Sequence, residues 1–293
     1  MRTANSEKLL AALLAAALAG CASASGAKTH ASDNGVRTED TDTIPFEEFT
    51  AIDNDQCAVI IKEVDPDSFW GCELKAVLEN RSDGKTYMFA VDGASINGVM
   101  CPCLFAGEVT AGKKSSEAID LSVNHLLKNG IKQFTDIELT FRIYDSNDRS
   151  ADPAVKETVH IYPYGSENAV KFVREAQPAD QVLIDNDDVT VIAVGYDPEK
   201  SPGYAVNLYL VNKTGKKLMY SIEEASLNNF MADPFFGAVV SPQRSAFTHI
   251  LWDAATLEEN DIADVEEIAF RLRIRDADDV FSVIADENCT LRP

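Results

Sequence analysis

The stretch "IELTFRIYD" at residues 137–145 alternates apolar and polar side chains with a period of two. Its apolar members are Ile137, Leu139, Phe141 and Ile143. Such alternation is typical of a strand in an antiparallel sheet that has one face on the core and the other in solvent. The stretch therefore predicts a β-rich fold.

The same pattern returns 131 residues later as "IAFRLRIRD" at residues 268–276. Further upstream, "AIDNDQCAVIIKEVDPD" at 51–67 matches "LIDNDDVTVIAVGYDPE" at 183–199. A repeat of this length is too long for a solenoid and indicates tandem domains. We expect a signal peptide at residues 1–20, a lipidated cysteine and flexible tether at 21–45, a first domain at 46–165, a linker at 166–179 and a second domain at 180–293.

Each repeat has the strand lengths and turn signals of a β-sandwich of about seven strands. One short helix is expected in each, with Ser122 as the N-cap in the first and Asp253 in the second. In the linker, Ala169, Phe172 and their neighbours fall at helical spacing behind Ser166, which predicts a short connecting helix. The fold class expected is all-β, with two tandem immunoglobulin-like sandwiches.

The second part of each repeat carries a further pattern, a capped turn such as "LLKNGI" at 126–131, then an alternating strand and an acidic turn. This pattern is similar to immunoglobulin-like modules of Gram-positive surface lipoproteins. The resemblance spans each repeat and implies no ligand.

The N-terminal stretch "LLAAALAGCASASG" at 13–26 bears on where the protein is located in the cell. The run Leu9–Ala19 contains only Leu and Ala. As a helix it would span roughly 16 Å, too short for the ~30 Å hydrocarbon core of a bilayer, and its length suits a secretory signal peptide.

The four residues Leu18, Ala19, Gly20 and Cys21 that end this run resemble the lipobox of bacterial lipoproteins. The resemblance implies that the first twenty residues are removed and that Cys21 carries two acyl chains. The alternatives are an ordinary signal peptide and a buried Ala-rich helix that precedes a cysteine. The polar segment that follows cannot bury enough apolar surface to fold, so we expect a disordered tether and a lipid-anchored protein on the extracellular face of the cell membrane.

The chain has a formal net charge of −22. Nucleic acids and anionic wall polymers are disfavoured as partners, because binding a polyanion depends on Lys and Arg. Cations and neutral partners stay open, including a protein or cell-surface ligand, and so does the oligomeric state. Arg271, Arg273 and Arg275 form a basic stripe that fits either an acidic partner or cross-strand pairing with acidic neighbours.

Two acidic turns occupy the same place in both repeats, "DSND" at 145–148 and "DADD" at 276–279. Calcium takes six to eight oxygen ligands, and clustered carboxylates supply them. The EF-hand spacing is not met, and Asp and Asn are also good turn formers. The candidate ligands are Asp145, Asn147, Asp148, Asp276, Asp278 and Asp279.

Five cysteines follow Cys21, namely Cys57, Cys72, Cys101, Cys103 and Cys289. An exported chain permits disulfides, but an odd number leaves one over and the pairing stays open. Inert buried thiols are the alternative, because Cys57 and Cys72 fall in the phase of the inward residues. The "CPC" at 101–103 lacks the second half of a structural zinc site.

The sequence contains no Gly-x-Ser-x-Gly, His-Glu-x-x-His or phosphate-loop motif. His125 and His249 correspond to Thr256 and Ala118 in the other repeat, so no shared histidine chemistry is indicated. We therefore expect a non-catalytic binding or structural protein without a cofactor. The alternatives are a calcium-dependent adhesion or binding module and an enzyme with a site between the two domains.

Overall fold

The computed structural model describes residues 46–69 and 71–293. The predicted signal peptide, Cys21 and the predicted tether all fall in residues 1–45 and lie outside the described residues. The described chain from Phe46 to Pro293 belongs to one compact unit. We call residues 46–165 the first repeat and residues 180–293 the second repeat.

The first repeat is built from strands and one short helix. Its elements are β1 (Phe49–Asp53), β2 (Cys57–Ser68), β3 (Gly71–Asn80), β4 (Tyr87–Ile96), β5 (Val99–Met100), β6 (Ala106–Val109), β7 (Lys114–Leu121), α1 (Asn124–Lys128), β8 (Ile137–Asp145) and β9 (Val155–Ile161).

The second repeat has the same order of elements. They are β10 (Gln181–Asp185), β11 (Val189–Asp197), β12 (Gly203–Asn212), β13 (Leu218–Leu227), β14 (Phe230–Met231), β15 (Ala238–Val240), β16 (Ser245–Asp253), α2 (Ala254–Glu259), β17 (Ile268–Asp276) and β18 (Val283–Leu291).

Both repeats also share a strand order. One sheet of the first repeat runs β1-β2-β3-β7, and the second repeat has β10-β11-β12-β16 in the same order. The opposing sheets run β5-β4-β8-β9 and β14-β13-β17-β18, with β6 added to β4 and β15 to β13. The repeats meet where β5 pairs with β16 in parallel, through Val99 and Ser245, so that one ladder of strands continues from one repeat into the other.

Each repeat encloses its own cluster of buried apolar side chains. Phe89, Phe141 and Leu74 lie in the first, and Trp252 and Tyr220 lie in the second. These side chains come from the alternating positions of facing sheets, as burial of one face requires. The all-β sandwich fold expected from the alternation is confirmed.

The helix caps differ between the repeats. In α2, Asp253 accepts a hydrogen bond from Thr256 N at 2.7 Å, as predicted for this N-cap. In α1 the prediction of Ser122 is wrong, because the cap is Val123, with no side-chain hydrogen bond. The backbone N–H of Ser122 donates to Pro102 O at 2.9 Å, and the helix begins only after the next residue, Val123.

The predicted connecting helix is also wrong beyond its first turn. A short 3-10 helix covers Ser166–Asn168, and Ala169 then adopts an extended conformation. Val170 N donates to Thr135 Oγ1 at 3.0 Å and Phe172 N donates to Asn97 O at 2.8 Å. Because these backbone donors bind acceptors in the first repeat, they are not available for the hydrogen bonds of a helix. The segment lies against that repeat as extended chain.

Candidate functional site

Backbone and side-chain bonds hold the two repeats together around β5 and β16. Ser245 N donates to Gly98 O at 3.0 Å, and Lys171 Nζ donates to Gln243 O at 3.2 Å. Next to them, the guanidinium of Arg244 binds both carboxylate oxygens of Glu138, with Nε to Oε1 at 3.2 Å. Glu138 is only 7% exposed, so this ion pair crosses the junction in a largely dry setting.

Glu138 belongs to a wider network in the first repeat. Its Oε2 lies 3.4 Å from His160 Nε2, and His160 Nδ1 lies 2.8 Å from Asp136 Oδ1. Glu138 and His160 are directly opposite each other on β8 and β9. The network fixes the Glu138 carboxylate in the position that Arg244 reaches.

Aromatic side chains fill the space beside the ion pair. The ring of Phe247 lies 4.8 Å from that of Tyr209 and 6.0 Å from that of Phe172. Arg174 lies over the Tyr209 ring at 5.8 Å and binds Asp180 through two hydrogen bonds of 2.7 Å. This pairing lowers the pKa of Asp180 below its usual range. The connecting segment is thus anchored to the second repeat by Arg174 and to the first by Phe172.

A cleft of about 540 Å³ opens beside this contact, between α1 and the sheet that contains β12 and β16. From the first repeat it is lined by residues in α1 and just before and after it, Ser122, Asn124, His125, Lys128 and Asn129. From the second repeat it is lined by Val194, Asp197, Lys200, Asn207, Leu208, Phe247, Thr248 and His249. We call this the junction cleft.

A second cavity of about 590 Å³ shares part of this lining. Lys128, Asn129 and Phe247 contribute to both, and Arg174 of the connecting segment lines only the second. The junction therefore offers one extended groove rather than a single recess.

Two imidazoles of the junction cleft have defined chemistry. Burial lowers the pKa of His249 below its ordinary value of 6.5, the charge of Lys200 lowers it further and Asp197 partly opposes the shift. His249 is therefore neutral near pH 7. His125 Nε2 lies 3.1 Å from Met100 O, and since a carbonyl only accepts, this nitrogen carries the proton.

Two ammonium groups in the junction cleft are unpaired. Within the described residues, Lys128 and Lys200 have no carboxylate at ion-pair distance. By contrast, Lys213 and Lys216 of the second repeat bind Asp185 and Asp276, each at 2.9 Å. The lining of the cleft therefore carries two ammonium groups against the one carboxylate of Asp197, on a chain whose net charge is −22.

The predicted basic stripe is occupied by cross-strand ion pairs. Arg271 Nε lies 2.5 Å from Asp286 Oδ1, Arg273 binds both Asp286 and Glu223, and Arg275 reaches Glu223 at 3.1 Å. These contacts, with Arg271 first, lower the pKa of Asp286 to about 2. Of the two interpretations left open, the structure shows the cross-strand pairing.

The acidic turns use their carboxylates to shape the backbone. Asp145 Oδ1 accepts from Asn147 N at 3.0 Å, and Asp276 Oδ1 accepts from Asp278 N at 3.0 Å while its Oδ2 pairs with Lys216. Asp148 likewise accepts from Ser150 N and Asp279 from Phe281 N, whereas Asn147 and Asp278 take part in these turns through their backbone N–H groups. Across residues 46–69 and 71–293, no group of three or more His, Cys, Asp or Glu is placed to hold a metal ion.

All five cysteines of the described chain are free thiols. Burial raises the pKa of Cys72 and Cys103 to about 12 and that of Cys57 and Cys289 to about 11. Burial also raises the pKa of Cys101. Because the thiolate is the nucleophile, these side chains act as small apolar groups.

The sequence predicted a site between the two domains only as an alternative and named none of the residues of the junction cleft. The histidines show why: His249 and His125 have no histidine at the equivalent position of the other repeat, so the repeat pattern gives them no shared chemistry. The two repeats contribute different surfaces to a site at their contact. The residues of such a site are therefore not expected to be the same at equivalent positions of the two repeats. A position where one copy alone is charged or aromatic, such as Phe247 opposite Ser116, is the signal that would have found it.

The comparisons with known proteins add no name to this geometry: no family model matches the chain, and no curated protein matches it. Among the described residues, no helix has the length and apolar character needed to cross a bilayer.

Proposed function

We propose that the chain is a lipid-anchored protein of the extracellular face of the cell membrane that binds a ligand in the junction cleft and catalyses no reaction. The observation that carries the binding role is the set of unpaired polar and cationic side chains that both repeats present to this cleft. Its volume falls in the range of small-molecule sites.

The proposed address is supported by the lipobox-like residues Leu18 to Cys21 after an apolar run. A single acyl chain holds a protein to a membrane only marginally, whereas two chains anchor it durably. The lipid bilayer is therefore the first proposed partner, through Cys21. The second is a soluble or cell-surface ligand at the cleft.

The contacts around the two imidazoles favour binding over catalysis. An activated nucleophile needs a base within hydrogen-bond distance. His125 binds a backbone carbonyl, and among the described residues no hydroxyl or thiol is hydrogen-bonded to either His125 or His249. The alternative of an enzyme with a site between the repeats would require such a pair to form when the ligand binds.

The anchor is tested by replacing the modified residue. Cys21→Ser is expected to move the protein from the membrane fraction to the soluble fraction. A matched control, Ser25→Ala, leaves the lipobox intact and should stay in the membrane. Intact-mass measurement of the membrane form should show a chain that begins at Cys21 with added acyl mass. An unmodified amino end, or Cys21→Ser that stays in the membrane, would contradict the proposal.

A further inference from the structure

We propose that the ligand of the junction cleft is an acidic saccharide, a hydroxyl-rich sugar that carries a carboxylate. This inference rests on the proposed binding function and adds the chemical class of the ligand.

The charge of the ligand follows from two lysines on opposite walls. Lys128 lies on α1 of the first repeat, and Lys200 lies between β11 and β12 of the second. Both lack an ion-pair partner among the described residues, and Asp197 is the single carboxylate in the described lining. A small anion in the cleft would meet this local positive charge, whereas a polyanion would also meet the net charge of −22 that the whole chain carries.

The hydroxyl groups of the ligand follow from the remaining polar lining. The side-chain amides of Asn124 and Asn207 make no hydrogen bond to any described residue. Asn129 uses its amide nitrogen on His125 O at 2.7 Å, which leaves its oxygen to accept. An amide both donates and accepts, and so does the neutral imidazole of His249. Sugar hydroxyls need this mixture of donors and acceptors side by side.

Other ligand classes fit the lining less well. An apolar peptide side chain needs an apolar recess, but Leu208 is 1% exposed and Phe247 already packs between Tyr209 and Phe172. An inorganic anion such as sulfate accepts hydrogen bonds but donates none, so it would leave the amide oxygens of the lining without a donor.

Calorimetry with a matched pair of sugars tests the inference. The probes are α-1,4-digalacturonate and α-1,4-galactobiose, which differ in their carboxylates, titrated into the full-length chain in detergent. The acid should bind at least about tenfold more tightly than the neutral sugar, and rising salt should weaken only the acid.

Cleft variants locate the interaction. The double variant Lys128→Met, Lys200→Met should remove the preference for the acid, whereas Lys156→Met, an exposed lysine on β9, should not change it. Asn207→Ala should weaken both sugars. Equal affinity for both sugars, unchanged by the double variant but lowered by Asn207→Ala, would overturn the acidic ligand and keep the cleft as a binding site. Binding of neither sugar would overturn the saccharide class, while the result for Cys21→Ser stands separately.

Discussion

Strands β7 and β16 are the same strand of the repeat in two different situations. β7 pairs with β3 and, within the described chain, meets only an isolated bridge at Cys103 on its other side, whereas β16 pairs with β12 and with β5 of the other repeat. The side chains around β16 that contact the first repeat are not found at the equivalent positions of the first repeat. Phe247 of β16 corresponds to Ser116, Arg244 corresponds to Lys113, and its partner Glu138 corresponds to Ala269.

Buried polar groups show the opposite behaviour. Asn80 and Asn212 are equivalent, and each donates through Nδ2 to two or more backbone carbonyls, such as Lys85 O at 2.8 Å and Lys216 O at 2.7 Å. The two copies therefore keep the bonds that close each sandwich and differ where they meet. Function is expected at the junction, because the chain has there a surface that is not repeated.

One large difference inside the two cores lies at Trp252, which corresponds to Leu121. The Trp252 ring is fully buried, and its Nε1 donates to Ala232 O at 2.9 Å. Trp252→Leu should lower the free energy of unfolding by about 3 kcal/mol, from the cavity and the lost hydrogen bond. Urea unfolding measures this loss, and Phe281→Leu, at a side chain that is 91% exposed, serves as the control with little effect. An unchanged midpoint for Trp252→Leu would mean that the second core does not depend on this ring.

The junction ion pair gives the next largest effect. Arg244→Ala leaves the nearly buried carboxylate of Glu138 with only His160 Nε2, at 3.4 Å, and should cost about 2 kcal/mol. The equivalent change Lys113→Ala removes a charge that has no ion-pair partner among the described residues and should be near neutral. Thermal unfolding of both variants measures the contrast. Equal effects would contradict the view that the contact is specific to the second repeat.

A smaller effect concerns acid stability. Arg271 and Arg273 hold the pKa of Asp286 at about 2, below its ordinary value of 3.8. A depressed pKa stabilises the fold above the unfolded value, and this stabilisation is lost as pH falls from about 4 to about 2. The Asp286→Asn variant should therefore be less stable than the unsubstituted protein at pH 6. It should also lose less stability than that protein as pH falls from about 4 to about 2. Urea midpoints at several pH values measure the slope, and identical slopes would contradict the assignment.

The smallest expected effect is that of calcium on the acidic turns. Their carboxylates accept backbone N–H groups, and Asp276 also pairs with Lys216. Millimolar calcium should leave the melting temperature unchanged within about one degree, since a ligand stabilises only by differential binding to the folded state. A rise of several degrees that Asp145→Asn or Asp276→Asn abolishes would restore the calcium-dependent alternative.

The sequence predicted the fold well because the alternation of apolar and polar residues shows which face of a strand is buried. This alternation can be read from neighbouring residues, and both repeats show it. The alternation at Ile137–Tyr144 and the N-cap at Asp253 were therefore correct. The helix behind Ser166 was not, because Asn97 and Thr135, far away in sequence, bind its backbone donors. The residues of the junction cleft were not predicted for the same reason: its walls are more than sixty residues apart and meet only when the repeats pack.

The central claim is that binding belongs to the junction and not to either repeat alone. Hydrogen exchange of the full-length chain with and without digalacturonate tests it most directly, because each cleft segment has an equivalent segment elsewhere. Protection is predicted in residues 122–129 and 245–252, and none in their counterparts 253–260 and 114–121. Protection of the counterparts to the same degree, or only outside the cleft, would contradict the account.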